Sequence, residues 1–185
     1  LDYPAKHKGM QEFWKRPSRP CAGTGIITSR HFPEEFQGNF LNCNVIGFQG
    51  IFRVKVTEEG SGLKGETIED LVKGDNDKIP NFRPSAVSVA PDGSIYFLDW
   101  AKELIGHMQH HIRDPHRDKS HGRIYRITYQ GRPLIKPAKV DGQSIEKLFD
   151  LLKEPENDVR TRAKTELGGH DSAKVIAAVN KWAAK

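Results

Sequence analysis

Cysteine is scarce in this chain, and the scarcity excludes more than it suggests. Cys21 and Cys43 are the only two in 185 residues, too few to staple a fold, and they form no C-x-x-C-H that would attach a haem covalently. Cys43 alternates with Leu41 and Val45 and is expected to be a buried free thiol. A Cys21–Cys43 disulfide stays open in an oxidising compartment. No apolar run approaches the roughly 18 residues of a membrane span, so no membrane-spanning helix is expected. G-x-S-x-G is missing and no Ser–His–Asp arrangement follows from spacing, which speaks against a hydrolase. A signal peptide is missing too, and the first residue is Leu1 rather than Met, which leads to the expectation of a processed chain or a fragment of something longer.

What is present is globular and polar. A 36 % hydrophobic fraction beside 29 % charged residues places the chain among folded rather than disordered proteins. The formal charge is +5, but acidic residues interleave the basic ones. No nucleic-acid stripe results, and nucleic acid is not an expected partner.

Short apolar and β-branched runs between turn signals predict strands near 24–30, 39–45, 50–57, 66–72, 85–90, 94–100 and 123–129. Glu59-Gly60-Ser61-Gly62 and Pro91-Asp92-Gly93 carry turn residues. A repeat then narrows the choice among β architectures. Gly38-Asn-Phe-Leu-Asn-Cys-Asn44 matches Gly93-Ser-Ile-Tyr-Phe-Leu-Asp99 in pattern, and Ile51-Phe-Arg-Val54 matches Ile124-Tyr-Arg-Ile127. The second unit is thus the first with an insertion between its second and third strands. Four-stranded units at such spacing are expected of a β-propeller, with one blade over 24–73 and another over 84–135.

The insertion, 101–121, is polar and rich in histidine, and long polar loops in short-looped β-structure tend to carry function. Blade parity predicts that it shares one face with the segments 44–50 and 74–83. The expected ligand-face residues are Arg83, Asp99, His107, Gln109, His110, Arg113, Asp114, Arg117, Asp118 and His121, with Asn44 at a neighbouring strand end. Imidazoles at His107 and His121 could take part in a metal site, hydrogen-bond to the loop backbone, or line a ligand pocket; no H-E-x-x-H spacing selects the first. The Arg113-Asp114 and Arg117-Asp118 pairs could staple the loop, or one arginine could grip an anion such as a quinone carboxylate. Asp99 could ligate Ca²⁺ or cap the loop that follows it.

Beyond Tyr129 the period becomes helical. Ile145, Leu148, Phe149 and Leu152 form one stripe. A second helix begins at Pro155, buries Val159, Ala163 and Leu167, and ends at Gly168-Gly169. A third, capped by Asp171 or Ser172, is expected to bury Val175, Ile176, Val179 and Trp182. The domain expectation is a partial propeller over 1–135 and a helical segment over 140–185, hence mainly β with an α tail.

Arg19-Pro-Cys-Ala-Gly23, His31-Phe-Pro33, Gly47-Phe-Gln-Gly50, Asn81-Phe-Arg-Pro84, Asp99-Trp100, Gly106-His-Met-Gln109, Arg113-Asp-Pro115 and His121-Gly-Arg-Ile-Tyr-Arg126 together resemble a known group. It is the C-terminal part of the propeller in the membrane-bound-dehydrogenase type of large haem-binding C-x-x-C-H proteins from PVC bacteria. Asp158-Val-Arg-Thr-Arg-Ala163 is similar to a HEAT repeat, which in that family follows the propeller. The resemblance implies a distant kinship with soluble quinoprotein glucose and sorbosone dehydrogenases and a periplasmic or secreted location. It also implies a parent able to use a PQQ-type quinone and Ca²⁺, and a small-molecule or carbohydrate ligand. The remaining blades are absent here and would come in cis or as another chain. The catalytic base of those relatives lies on an early blade, so no residue here inherits it. The expected function is therefore part of a sugar- or alcohol-dehydrogenase-like propeller without a complete catalytic set, or a propeller/HEAT module that binds a protein or carbohydrate.

Overall fold

Strands form where aromatic and β-branched residues alternate between turn residues, and the sheets they build are meanders. The computed structural model describes residues 13–15, 21–75, 77–103, 105 and 114–184. Cys21–Ile26 (β1), Phe40–Asn44 (β2), Gly50–Glu59 (β3), Gly62–Thr67 (β4) and Val72–Lys73 (β5) make one antiparallel sheet, in the order β1-β2-β3-β4 with β5 also on β3. Pro84–Val89 (β6), Ile95–Asp99 (β7) and Arg123–Ile127 (β8) make a second, ordered β6-β7-β8. Ile145–Leu151 (α1), Asn157–Gly168 (α2) and Ser172–Ala183 (α3) follow. The architecture is mainly antiparallel β with a helical tail. Among the described residues no helix is long and apolar enough to cross a membrane.

One predicted strand, 66–72, is two. The turn at Gly60-Ser61 is so tight that β4 pairs back on β3 at once, from Glu59 opposite Gly62 to Val54 opposite Thr67. The chain then bends, and only Val72 and Lys73 rejoin the ladder, opposite Ile51 and Gly50.

Cross-strand register sorts the first sheet into two faces. Phe40, Asn42 and Asn44 stand opposite Val54, Phe52 and Gly50, while Leu41 and Cys43 stand opposite Arg53 and Ile51. Aromatic rings cover the former face. Phe48 stacks on Phe52 at 4.2 Å, and Trp14 and Phe13 meet Phe52 and Phe40 edge-on. The latter face is buried throughout. Neither cysteine is in a disulfide, and burial pushes the Cys43 thiol up to about 12, which leaves it an inert core group. In the second sheet Ile95, Phe97 and Asp99 point inward, and Phe97 stacks on Tyr125 at 4.9 Å with Phe82 edge-on to both.

Two compact units divide the chain. One comprises Leu1–Ile27, Gly38–Ser88 and Tyr96–Arg126; the other comprises Thr28–Gln37, Val89–Ile95 and Ile127–Lys185. The second therefore holds the helical tail and also two segments that the sequence assigned to the partial propeller. Side chains draw them in. Glu156 is buried, and its carboxylate accepts Arg30 Nε at 2.8 Å and Nη2 at 2.8 Å, with the Arg30 amide at 3.1 Å. His31 is buried with both ring nitrogens engaged: Nδ1 donates to Pro133 O at 2.9 Å, and Nε2 accepts from Tyr129 N at 2.8 Å. That pattern specifies the neutral Nδ1–H tautomer. Gly93, at φ +84°, completes the joint: a Cβ there would lie 2.6 Å from Ser29 Oγ and 2.9 Å from His31 Cβ.

The helices pack as an amphipathic set. Val140, Leu148, Phe149, Leu151, Val159, Ala163 and Leu167 are the core, and Ser144 and Asp171 cap α1 and α3. On α3 the expected stripe is rotated: Val175, Ala178 and Trp182 face the core, while Ile176 and Val179 are exposed. Small Ala178, which carries little hydrophobic signal, takes the place against the helical core that hydropathy alone assigned to its larger neighbours. The second helix starts at Asn157 rather than Pro155.

Replacing His31 with Ala should cost roughly 2–4 kcal/mol, because it leaves a cavity and strands the Tyr129 amide and Pro133 carbonyl; urea denaturation measures it. Glu156 behaves differently with pH. Burial tends to raise its carboxyl, but hydrogen bonds from the Arg30 side chain and amide outweigh this, so the folded value lies below the ordinary one. Its contribution is present above the ordinary carboxylate range and fades as pH falls through the folded value. Glu156→Gln should thus destabilise at neutral pH, and the gap from the parent chain should close on acidification in thermal melts.

Candidate functional site

Asp99 closes β7 and has almost no contact with solvent, at 2 % exposure. A buried carboxylate needs donors, and three reach it. Oδ1 accepts the amides of Arg83 at 2.7 Å and Ala101 at 2.9 Å, and Oδ2 accepts Arg123 Nε at 2.6 Å. Other donors of the two arginines go to backbone carbonyls. Arg83 Nε donates to Lys102 O and Nη1 to Val45 O, both at 3.0 Å. Arg123 Nη2 reaches Pro80 O at 2.9 Å and Asn81 O at 3.2 Å. Burial lowers the Arg83 guanidinium from its ordinary value against the attraction of Asp99.

Lys102 extends the junction. It is only 9 % exposed, and its Nζ donates to Asp118 O and to His121 O. Described residues of three loops, Val45, Pro80 to Arg83 and Ala101 to Lys102 with Asp118 and His121, are therefore linked to one carboxylate. Gly74 N adds a bond to Gln49 O at 2.9 Å, and Asn44 Oδ1 accepts Phe48 N and Gln49 N. Three non-glycine residues with positive φ sit in these segments: Gln49 at 54°, Asn81 at 60° and Ala101 at 52°. Such backbone persists only where the surroundings over-determine it.

Beyond Lys102 two aspartates organise the described part of the insertion. Asp114 Oδ1 accepts His116 N at 2.8 Å and faces His116 Nδ1 at 3.1 Å. Asp118 Oδ1 accepts the Ser120 amide and hydroxyl, both at 2.9 Å, and Oδ2 meets His121 Nδ1 at 2.8 Å. The Ser120 hydrogen bonds, with those of His121, hold the Asp118 carboxyl far below its usual range. These are Asx-type turns, in which a short acidic side chain takes amides two residues on. Arg117 lies inside the first, its amide on Asp114 O at 3.1 Å.

A family model described as a domain of unknown function, DUF7133, matches residues 7–131. The chain belongs to the DUF7133 family. No curated protein and no solved structure matches it. The DUF7133 match spans both sheets and every residue of the Asp99 junction, and it ends before α1.

Of the residues the sequence singled out, the DUF7133 fold brings Arg83, Asp99 and Asn44 to one set of strand ends, with Asp118 and His121 tied in through Lys102. Asp114 and Arg117 form the adjoining turn. His107, Gln109, His110 and Arg113 lie outside the described residues. Sequence reading missed Arg123, Lys102 and the strained Asn81 and Ala101. Arg123 opens a strand straight after a long insertion, and Asn81 tolerates the left-handed region, so both carried a signal; a lone lysine such as Lys102 carried none.

Calcium and a quinone can be tested against this geometry. Asp99 has both oxygens engaged by N–H donors and a guanidinium at 2.6 Å, an electropositive setting that repels a cation. Arg83 Nε and Nη1 and Arg123 Nη2 bond to backbone carbonyls and Arg123 Nε to Asp99, so these nitrogens are engaged within the chain. Among the described residues no three His, Cys, Asp or Glu side chains gather as a metal cluster. The described junction fits neither group. Asp99→Ala should destabilise the chain by roughly 3–5 kcal/mol, since it strands a buried guanidinium and two amides, whereas added Ca²⁺ should leave the melting temperature unchanged; denaturant titration and calorimetry read both.

Proposed function

We propose that this DUF7133 chain supplies two consecutive blades of a β-propeller, with a HEAT-like helical segment after them. In this reading it serves an oxidoreductase-like parent of the sugar- or alcohol-dehydrogenase type as scaffold and as part of a ligand face, and holds no complete catalytic set. The observation that carries the reading is the repeat: both sheets are meanders whose matching strand ends, Asn44 and Asp99, each use a side-chain oxygen to fix the backbone that follows. Support also comes from the first strands of the two sheets. Gly23 of β1 comes so close to β6 that a Cβ would lie 2.8 Å from Ser85 O and Ala86 Cα, as adjacent inner strands of a ring require.

The chemistry of the junction favours scaffolding over catalysis. Proton transfer needs a side chain with an uncommitted polar atom and reach to substrate. Asp99 is saturated, Lys102 holds two carbonyls, and Asp118 caps its own turn. Any quinone or Ca²⁺ of the parent would be held elsewhere. In this reading such a parent works in the periplasm or outside the cell, as the family resemblance implies. A second reading, a binding module for a protein or carbohydrate partner, is favoured by the exposed imidazoles of His116 and His121 on ordered turns.

Incubation of the chain with PQQ, Ca²⁺, a panel of sugars and alcohols and an electron-accepting dye should give no dye reduction above buffer. Reduction that scales with chain concentration would overturn the non-catalytic assignment.

A further inference from the structure

The joint at His31 is built for one protonation state. Its imidazole is 1 % exposed. Pro133 O can only accept and Tyr129 N can only donate, so Nδ1 must carry the proton and Nε2 must offer its lone pair. A second proton would have to enter at Nε2, where it would set one N–H donor against another at 2.8 Å. Turning the ring away would give up both bonds at once.

Among the described residues no acid bonds to this ring. The charged groups on the surrounding elements are Arg30, Glu34 and Glu35 on its own segment, Asp92 on the turn before β7, Arg132 after β8, and Glu154 and Glu156 beyond α1. Glu34, Glu35 and Arg132 are exposed. The carboxylates of Glu154 and Glu156 turn to Arg30 and that of Asp92 to Ser94, while both ring nitrogens of His31 turn to backbone. The ring is also a mechanical tie. Through it Tyr129 and Pro133, beyond β8, are held to the segment 28–37. Phe32, Phe36 and Tyr129 cluster at the same contact, their ring centroids 5.7, 5.8 and 6.2 Å apart.

We propose that His31 is an acid-operated latch: protonation at Nε2 releases Tyr129 and Pro133 from the segment 28–37 and uncovers the Phe32–Phe36–Tyr129 cluster, while sheets and helices stay folded. The direction follows from proton counting. Closed, Nε2 has its lone pair on an N–H and binds no second proton; open, it binds one as a free imidazole does somewhat below neutrality. Opening therefore takes up one proton, and its equilibrium constant rises by up to about tenfold per pH unit of acidification. The Arg30–Glu156 pair next door stays ionised through this range, because burial of the carboxylate is outweighed by the Arg30 hydrogen bonds. The latch makes no use of the oxidoreductase-like reading and stands or falls apart from it.

Amide hydrogen exchange on the full isotope-labelled chain tests it, corrected for the intrinsic rate and followed from about pH 7.5 to about pH 5, the range that brackets histidine titration. The ring nitrogen shifts of His31 are read in the same samples and should report the neutral Nδ1–H tautomer at the upper end. On acidification the Tyr129 amide should lose protection by up to about tenfold per pH unit, together with amides of 28–37, while α2 and β2 keep theirs. His31→Gln, which takes no proton, should abolish this pH dependence, and Glu156→Gln should leave its slope unchanged. Tyr129 protection constant to the lower limit, a loss shared by α2 and β2, or a loss unaltered in His31→Gln would each overturn the proposal. So would ring shifts showing a charged His31 while the Tyr129 amide stays protected, a result that depends on no variant folding.

Discussion

A single buried carboxylate holds the strand-end face together. Asp99 cannot be exposed without orphaning two amides and a guanidinium, and cannot stay buried without them. Each donor belongs to a different stretch of chain: Arg83 enters β6, Ala101 begins the insertion, and Arg123 opens β8. The arginines then reach carbonyls of 45, 80, 81 and 102, so the constraint spreads from one side chain to three segments. Positive φ at Gln49, Asn81 and Ala101 is the backbone's adjustment to that convergence.

A second joint, chemically similar and independent, organises the helical unit. Arg30 and His31 sit next to each other in a short segment between strands. The first binds the Glu156 carboxylate and the second bridges Tyr129 and Pro133. In both units a polar side chain inside the fold organises loops that have too few apolar residues to organise themselves. The sheets and helices contribute the hydrophobic burial; the buried polar groups decide which loop goes where.

Much of the architecture could be read from patterns. Period-two alternation located the strands, because a sheet with one covered face demands it. The helical stripes Leu148–Phe149 and Val159–Ala163–Leu167 are buried as their spacing requires. The third helix departs because Ala178, not Ile176 or Val179, occupies the close-packed position, and alanine carries little hydrophobic signal. At the site, Arg83, Asp99 and Asn44 were legible as polar residues at strand ends. Lys102 was not, since a lysine after a tryptophan and an alanine gives no hint that its ammonium will reach carbonyls sixteen and nineteen residues on. Nor could the sequence tell that Asp118 would serve its own turn through Ser120 and His121.

Local chemistry, then, was settled by the order of residues: where strands and helices form, which turns need glycine, and which units repeat, because propensity and periodicity act within a few residues. Which segments meet at Asp99, and whether it meets a cation or a guanidinium, belonged to the tertiary structure. Those outcomes depend on groups tens of residues apart in the chain, and only folding sets their distances.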